Sequence, residues 1–206
     1  MKTHQPTGLT LAFSGDGKGK TTSSIGLTVR ALSYGWKVLV IQLLKTECKA
    51  FEMLQNTFPD QLELLQFGAQ KITLPNNLVK KDYELAEDAW RDIENMYYAY
   101  DMVVLDESLC ALNLGLYKEK RLVRLIEQCK QKKINLVLTG RLWSRDLLHR
   151  IVSYSSLFTE CKPRKHYFTR HCKSCQREFP DNYDYRLCPY CGKTLDSVGA
   201  NFGIEL

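Results

Sequence analysis

The sequence predicts an α/β protein: a mostly parallel sheet with helices on both faces, followed by a small cysteine-bearing appendage. Three observations predict it. Short apolar, β-rich runs alternate with segments of helical period over roughly 160 residues, the pattern of strand–helix–strand units. A glycine- and lysine-rich turn lies between the first such run and the helix after it. Two Cys-x-x-Cys pairs stand twelve residues apart near the C-terminus.

The elements follow in order. Residues 9–14 read as a buried strand and 21–34 as its helix, which Gly35 ends at the position after the cap. The run 37–44 is almost wholly apolar and β-rich, as a strand covered on both faces should be. A helix is expected over 48–57, a strand over 62–67, and irregular chain over 71–78, where Pro75-Asn76-Asn77 intervenes. Residues 82–98 have helical spacing, with Leu85, Ala89, Trp90, Ile93 and Tyr97 on one face. Residues 102–105 form a strand that runs into Asp106-Glu107. A charged helix over 117–131 precedes the strand 134–138, a short helix includes 147–152, and 157–160 makes a last strand.

In parallel sheets of this kind ligands gather at the carboxyl ends of the strands. The polar residues gather there too. Ser14-Gly15-Asp16-Gly17-Lys18-Gly19-Lys20-Thr21-Thr22 follows the first strand. Its glycines let backbone N–H groups curl around phosphate oxygens, and the next helix points its positive end at the anion. Lys20 would bring a full charge to the outer phosphates, and Thr21 a hydroxyl for Mg²⁺. Ser14 stands where the strict G-x-x-x-x-G-K-[ST] pattern has its first glycine. Asp106 and Glu107 end a strand, where a nucleotide-binding fold places carboxylates to hold Mg²⁺ directly or through water. Arg141, after Thr139-Gly140, suits bidentate phosphate contact. Arg30, ten residues beyond Lys20, either reaches the nucleotide from the side or makes a helix-face salt bridge. The basic run Lys162-Pro163-Arg164-Lys165-His166 either closes over anionic groups or is a charged linker.

Cys172, Cys175, Cys188 and Cys191 form two tight turns of paired thiolates, enough to complete a tetrahedron around Zn²⁺. Four sulfur ligands leave no open coordination position, so such a zinc is structural. The segment is then a zinc ribbon that folds on its metal. The expected division is a nucleotide-binding domain over 1–167, completed by 197–206, and a ribbon over 168–196. Cys48, Cys110, Cys129 and Cys161 are scattered and read as small core residues.

Composition limits the rest. No run reaches the roughly 20 apolar residues of a membrane span, and the N-terminal residues lack an apolar signal-peptide core. The expectation is a soluble, cytoplasmic protein. A net charge of +6, with both signs spread along the chain, tolerates phosphate ligands and is too mild to indicate nucleic acid. In the ribbon, Lys173, Arg177, Arg186 and Lys193 are offset by Glu178, Asp181, Asp184 and Asp196.

Taken together these residues resemble the ATP:corrinoid adenosyltransferase family. Gly15 to Thr22 is similar to its phosphate loop, which also has Ser or Thr at the place of Ser14. Arg30 matches an arginine of its first helix. Val103-Val104-Leu105-Asp106-Glu107, with Ala111 to Leu116 behind, resembles its acidic strand end and following helix. Val137-Leu138-Thr139-Gly140-Arg141 matches its T-G-R motif. Lys165-His166-Tyr167 and Gly203-Ile204-Glu205-Leu206 resemble its closing segments. The likeness covers about 8–167 and 199–206, so the ribbon looks inserted near the family's usual end.

The resemblance implies that ATP and a reduced corrinoid are substrates and that the triphosphate leaves as the adenosyl group moves to cobalt. Gly15, Asp16, Gly17, Lys18, Gly19, Lys20, Thr21 and Thr22 would hold the phosphates, with Arg30 near the nucleotide. Thr21 and Glu107 would lie close to Mg²⁺, Asp106 would orient the metal shell, and Arg141 would add positive charge. An electron-donor protein and a second copy of the chain are the partners implied. One departure stands out. Family members carry an aromatic Gly-Phe-Thr-Trp segment after the third strand, whereas this chain has Gly68-Ala69-Gln70-Lys71. Tyr83 and Trp90 are read as packing residues rather than substitutes. Two other readings compete: a thymidine-kinase-like phosphotransferase, which also joins a phosphate loop to a four-cysteine ribbon, and an ATP-dependent binding or switch protein.

Overall fold

A computed structural model describes residues 5–68, 78–162, 169–171, 174–176 and 178–180. The chain divides into two compact units, 1–162 and 163–206. In the first, strands β1 (Thr10–Ser14), β2 (Val38–Leu43), β3 (Leu62–Phe67), β4 (Met102–Asp106), β5 (Asn135–Thr139) and β6 (Leu157–Glu160) alternate with helices. The helices are α1 (Lys20–Ser33), α2 (Lys49–Thr57), α3 (Lys80–Met96), α4 (Ser108–Asn113), α5 (Glu119–Gln131) and α6 (Arg145–Tyr154).

The six strands form one sheet in the order β3-β2-β4-β5-β1-β6, every pairing parallel. This order explains which face each helix takes. From β1 to β2 to β3 the chain moves one way along the sheet, and from β3 to β6 it moves back the other way. Right-handed crossovers must then place α1 and α2 on one face and the later helices on the opposite face. The cores agree. Ala31, Leu32, Phe51 and Leu54 pack with Val38, Val40, Val104 and Val137 on one side. Trp90, Ile93, Leu122, Leu125 and Ile151 pack with Leu39, Ile41, Leu105 and Leu138 on the other. Residues of alternating parity along β2 thus feed opposite cores, and all six of its residues are buried. β3 and β6 are the two edge strands, and β6 is largely exposed.

Local chemistry corrects several boundaries. α3 starts at Lys80 because the Asp82 carboxylate reaches back to accept from the Val79 N–H at 2.8 Å, making Asp82 the third helical residue rather than the first. Its buried stripe is Ala86, Ala89, Trp90 and Ile93, continued by Tyr97, with Leu85 only half-buried. Trp90 packs on Tyr117 with ring centroids 4.7 Å apart, whereas Tyr83 is exposed and does not share that packing role. α5 begins after Tyr117, whose hydroxyl donates to the Ser108 carbonyl at 2.8 Å and ties down α4. α6 extends to Arg145–Tyr154 because Ser144 caps it, accepting from the Leu147 N–H. Of the scattered cysteines Cys129 is fully buried, Cys110 and Cys48 are half-buried and pack against the two cores, and Cys161 is half-buried where the chain leaves β6.

In the second unit β7 (Thr169–His171) pairs antiparallel with β8 (Glu178–Pro180). Cys172, Cys188 and Cys191, the basic run from Pro163 to His166, and the terminal Gly203-Ile204-Glu205-Leu206 lie outside the described residues. So do Ala69, Gln70 and Lys71, where the expected aromatic pair is replaced. No described helix is long and apolar enough to cross a membrane.

Candidate functional site

At the carboxyl edge of the sheet the ends of β1, β2, β4 and β5 meet. Ser14 remains in β1 as an extended residue whose carbonyl accepts from the Cys161 N–H at 2.7 Å. The left-handed turn that a first glycine would make falls instead to Gly15, at φ 106°. A Cβ on Gly15 would lie 2.5 Å from the Cys161 carbonyl oxygen, so only glycine fits. Gly17 donates its N–H to that same carbonyl at 2.7 Å, and Gly19, at φ 103°, caps α1. The loop is therefore pinned at its base by the chain leaving β6.

Lys20 opens α1 and folds back over the loop, donating from Nζ to the Gly15 and Gly17 carbonyls at 2.8 and 2.6 Å. Burial holds its ammonium below the usual lysine range, an effect that Glu107 opposes. Lys18 and Thr22 are exposed on the loop and the first turn. Arg141, beyond β5, pairs through Nε with Asp16 Oδ1 at 3.0 Å and so ties the loop to the neighbouring strand end. Arg30 lies exposed in the last turn of α1, about 15 Å of helix rise from Lys20, and stands apart from this group.

Asp106 is the fixed point of the site. Its side chain is fully buried at the end of β4, and its carboxylate accepts from four donors. Thr21 and Thr139 hydroxyls reach Oδ1 at 2.9 and 2.6 Å, and Gln42 Nε2 and Lys45 Nζ both reach Oδ2 at 2.8 Å. Four donors fill the acceptor sites of a carboxylate. Burial would raise its pKa, but the Lys45 ammonium and these hydrogen bonds outweigh burial and hold it below the ordinary carboxylate range. The Coulomb attraction to Lys45 at 2.8 Å is about 6 kcal/mol at an effective dielectric of about 20, against a desolvation cost of several kcal/mol.

Glu107 begins the turn into α4 at φ 58°, a left-handed conformation that is strained for glutamate. Its N–H donates to Thr139 Oγ1 at 3.0 Å, which holds the turn in place. Its carboxylate meets Lys45 Nζ at 3.2 Å, and Lys45 also donates to Thr21 Oγ1 at 3.0 Å. Burial alone would lower the Lys45 pKa, yet Asp106 and Glu107 raise it above the usual value.

The structure thus brings Lys20, Thr21, Asp106, Glu107 and Arg141 to one edge with the Gly15–Thr22 loop. Sequence reasoning missed Lys45 and Gln42. A signal for both exists: Gln42 is the polar residue in a strand otherwise apolar on both faces, and it is fully buried. Such a residue needs a partner, and its partners are Asp106 and, through its own oxygen, Gln66 Nε2 at 2.9 Å. Among the described residues no group of three or more histidine, cysteine or acidic side chains is placed to hold a metal. The oxygen set of Thr21, Asp106 and Glu107 nonetheless suits a hard cation, and a cationic ammonium already sits against all three.

A parallel sheet with a glycine-rich loop after β1, and an acidic pair ending a strand one removed from it, defines an α/β protein of the P-loop type. Flagellar accessory protein FlaH from Methanocaldococcus jannaschii shares this fold, with a TM-score of 0.56 at 12% identity over 76% of this chain and 72% of that one. The family model of the ATP:corrinoid adenosyltransferases BtuR/CobO/CobP matches residues 6–177. Among curated relatives, a corrinoid adenosyltransferase of Sinorhizobium sp is 28% identical over 173 residues, covering 82% of this chain and 78% of that protein. One from Pseudomonas aeruginosa is 33% identical over 137 residues, with 65% and 66% covered, and one from Escherichia coli K12 is 27% identical over 169, with 81% and 83% covered. The chain belongs to the ATP:corrinoid adenosyltransferase family.

Proposed function

We propose that this protein transfers the adenosyl group of ATP to the cobalt of a reduced corrinoid and releases triphosphate. Family membership favours this reading over the kinase-like and switch readings. The observation that carries it is the convergence of the Gly15–Thr22 loop, Asp106-Glu107 and Arg141 on the carboxyl edge of the sheet. In the reaction the electron pair of Co(I) attacks the 5′ carbon of the ribose. That pair becomes the new cobalt–carbon bond, the carbon–oxygen bond to the triphosphate breaks, and the triphosphate departs with the electron pair of the broken bond.

No proton has to be removed from such a nucleophile, so the residues need only align ATP and stabilise the charge growing on the leaving oxygens. Backbone N–H groups of the loop from Gly15 to Thr22, with Lys18 at its edge, hold the phosphates. Lys20 supplies the principal positive charge, and Arg141 adds to it when Asp16 releases it. Thr21 and Glu107 would hold Mg²⁺, with Asp106 orienting them; bound there, the ion would add positive charge beside the departing phosphate oxygens. Arg30, apart from the cluster, would meet the nucleotide from the side.

The four cysteines support a structural zinc in the second unit, and the β7–β8 pair brackets the segment that carries Cys172 and Cys175. The test of the function is anaerobic incubation with ATP, Mg²⁺ and chemically reduced cobalamin, followed by absorbance and by product analysis. A new cobalt–carbon bond with stoichiometric triphosphate is expected. ADP as the product, or no alkylation of several corrinoids, overturns the reading.

A further inference from the structure

We propose that Lys45 is a resident counter-ion: in the nucleotide-free protein its ammonium holds Thr21, Asp106 and Glu107 together, and on loading with nucleotide and divalent cation it yields the carboxylates and turns to the triphosphate. This rests on the nucleotide site described under Proposed function and adds a residue and an exchange to it.

The placement of Lys45 is built by the backbone. β2 ends at Leu43, and Leu44 takes φ 61°, a left-handed conformation that a leucine adopts only under constraint. The Leu44 N–H donates to the Phe67 carbonyl at 2.9 Å, which fixes the bend. Gly68 then lies flat against Lys45: a Cβ there would come within 2.4 Å of the Lys45 backbone. Strain at one residue and a side-chain-free contact at another both serve to direct one lysine into the site.

Its contacts match the task. Three ammonium protons meet three oxygen groups at 3.0, 2.8 and 3.2 Å, from the first turn of α1, the end of β4 and the turn after it. Two adjacent carboxylates would repel one another and loosen the turn if no cation stood between them. A divalent cation seeks the same oxygens, so it and the ammonium cannot share them. The Lys45 side chain keeps 30% of its surface exposed, and its flexible stem gives the head somewhere to go. Lys20 has its head on the Gly15 and Gly17 carbonyls, beside the space that the triphosphate would enter. Two ammonium groups would then face the leaving group only after loading.

Manganese titration of the nucleotide-free protein, read by electron paramagnetic resonance, tests the first half. Lys45→Met should bind Mn²⁺ at least about tenfold more tightly than wild type, because the competing charge is gone, while Lys45→Arg should stay close to wild type. Equal affinities in wild type and Lys45→Met overturn the proposal. The second half is read on unmutated protein, so it does not depend on how any variant folds. The ε-methylene signal of Lys45 should shift on saturation with Mg·ATP, and a signal that does not move overturns the proposal. Calorimetry separates the two levels. Wild type that binds Mg·ATP with Lys45 unmoved sinks the counter-ion alone, whereas wild type that binds no ATP sinks the nucleotide reading and this proposal with it.

Discussion

The Thr21 hydroxyl donates to Asp106 Oδ1 across 2.9 Å, joining the first turn of α1 to the end of β4 although β5 lies between β1 and β4 in the sheet. β5 bridges that gap with Thr139, which donates to the same oxygen at 2.6 Å. The phosphate loop and the acidic strand end are therefore one hydrogen-bonded unit, held by the strand between them. Thr21→Val keeps the size and removes the hydroxyl. It should lower Mg·ATP affinity about tenfold or more and cost about 1–3 kcal/mol of stability for the two lost hydrogen bonds, one to Asp106 and one from Lys45. Thr21→Ser should retain both. Calorimetry and urea unfolding check the pair, and a valine variant with unchanged affinity removes Thr21 from the metal and phosphate site.

Gly15 cannot carry a side chain where β6 ends against it. Gly15→Ala adds a left-handed alanine to a 2.5 Å overlap with the Cys161 carbonyl. The cost should be about 1–3 kcal/mol, and ATP affinity should fall with it as the loop shifts. A variant with wild-type melting temperature and affinity would show that the loop tolerates the displacement.

Arg121 on α5 holds α3 by two carboxylates, Glu94 at 2.8 Å and Glu87 at 2.7 Å, and its guanidinium lies 5.3 Å over the Trp90 ring. The hydrogen bond from Arg121 holds the Glu94 carboxyl below its usual range. A depressed carboxyl contributes stability that is present above the unfolded value of about 4.3. That stability is lost as pH falls through the lower folded value. Glu94 is nearly half exposed, so screening keeps the effect below about 1 kcal/mol. Glu94→Gln should therefore flatten part of the acid limb of a stability-against-pH curve and leave neutral stability within about 1 kcal/mol. An acid limb identical to wild type removes this contribution.

Metal analysis of the purified chain should find about one zinc per molecule, released by a chelator on warming together with the loss of structure in the second unit. Cys188→Ser should lower the zinc content and leave ATP binding by the first unit in place. Zinc-free protein with an unchanged second unit would refute the ribbon.

Much of this protein can be read along the chain. Apolar runs such as 37–44 owe their strand character to burial on both faces, a local pattern visible without coordinates. The alternation of such runs with helical segments implies a parallel sheet, because parallel neighbours need a crossover between them. The loop from Gly15 to Thr22 is legible for a related reason: its chemistry is carried by contiguous backbone. Asp106 stands out because it ends an apolar strand, and Arg141 because it comes two residues after another.

What the chain order leaves open is which strand ends become neighbours. The reversal of direction after β3 brings β4 and β5 back between β2 and β1, and only that arrangement sets Gln42, Lys45, Thr139 and Asp106 within hydrogen-bond reach. Lys45 looks like any lysine after a strand until Leu44 bends and Gly68 approaches. Contacts between residues about 60 positions apart depend on sheet order rather than on local propensity, and for that physical reason the charge network of the site had to await the fold.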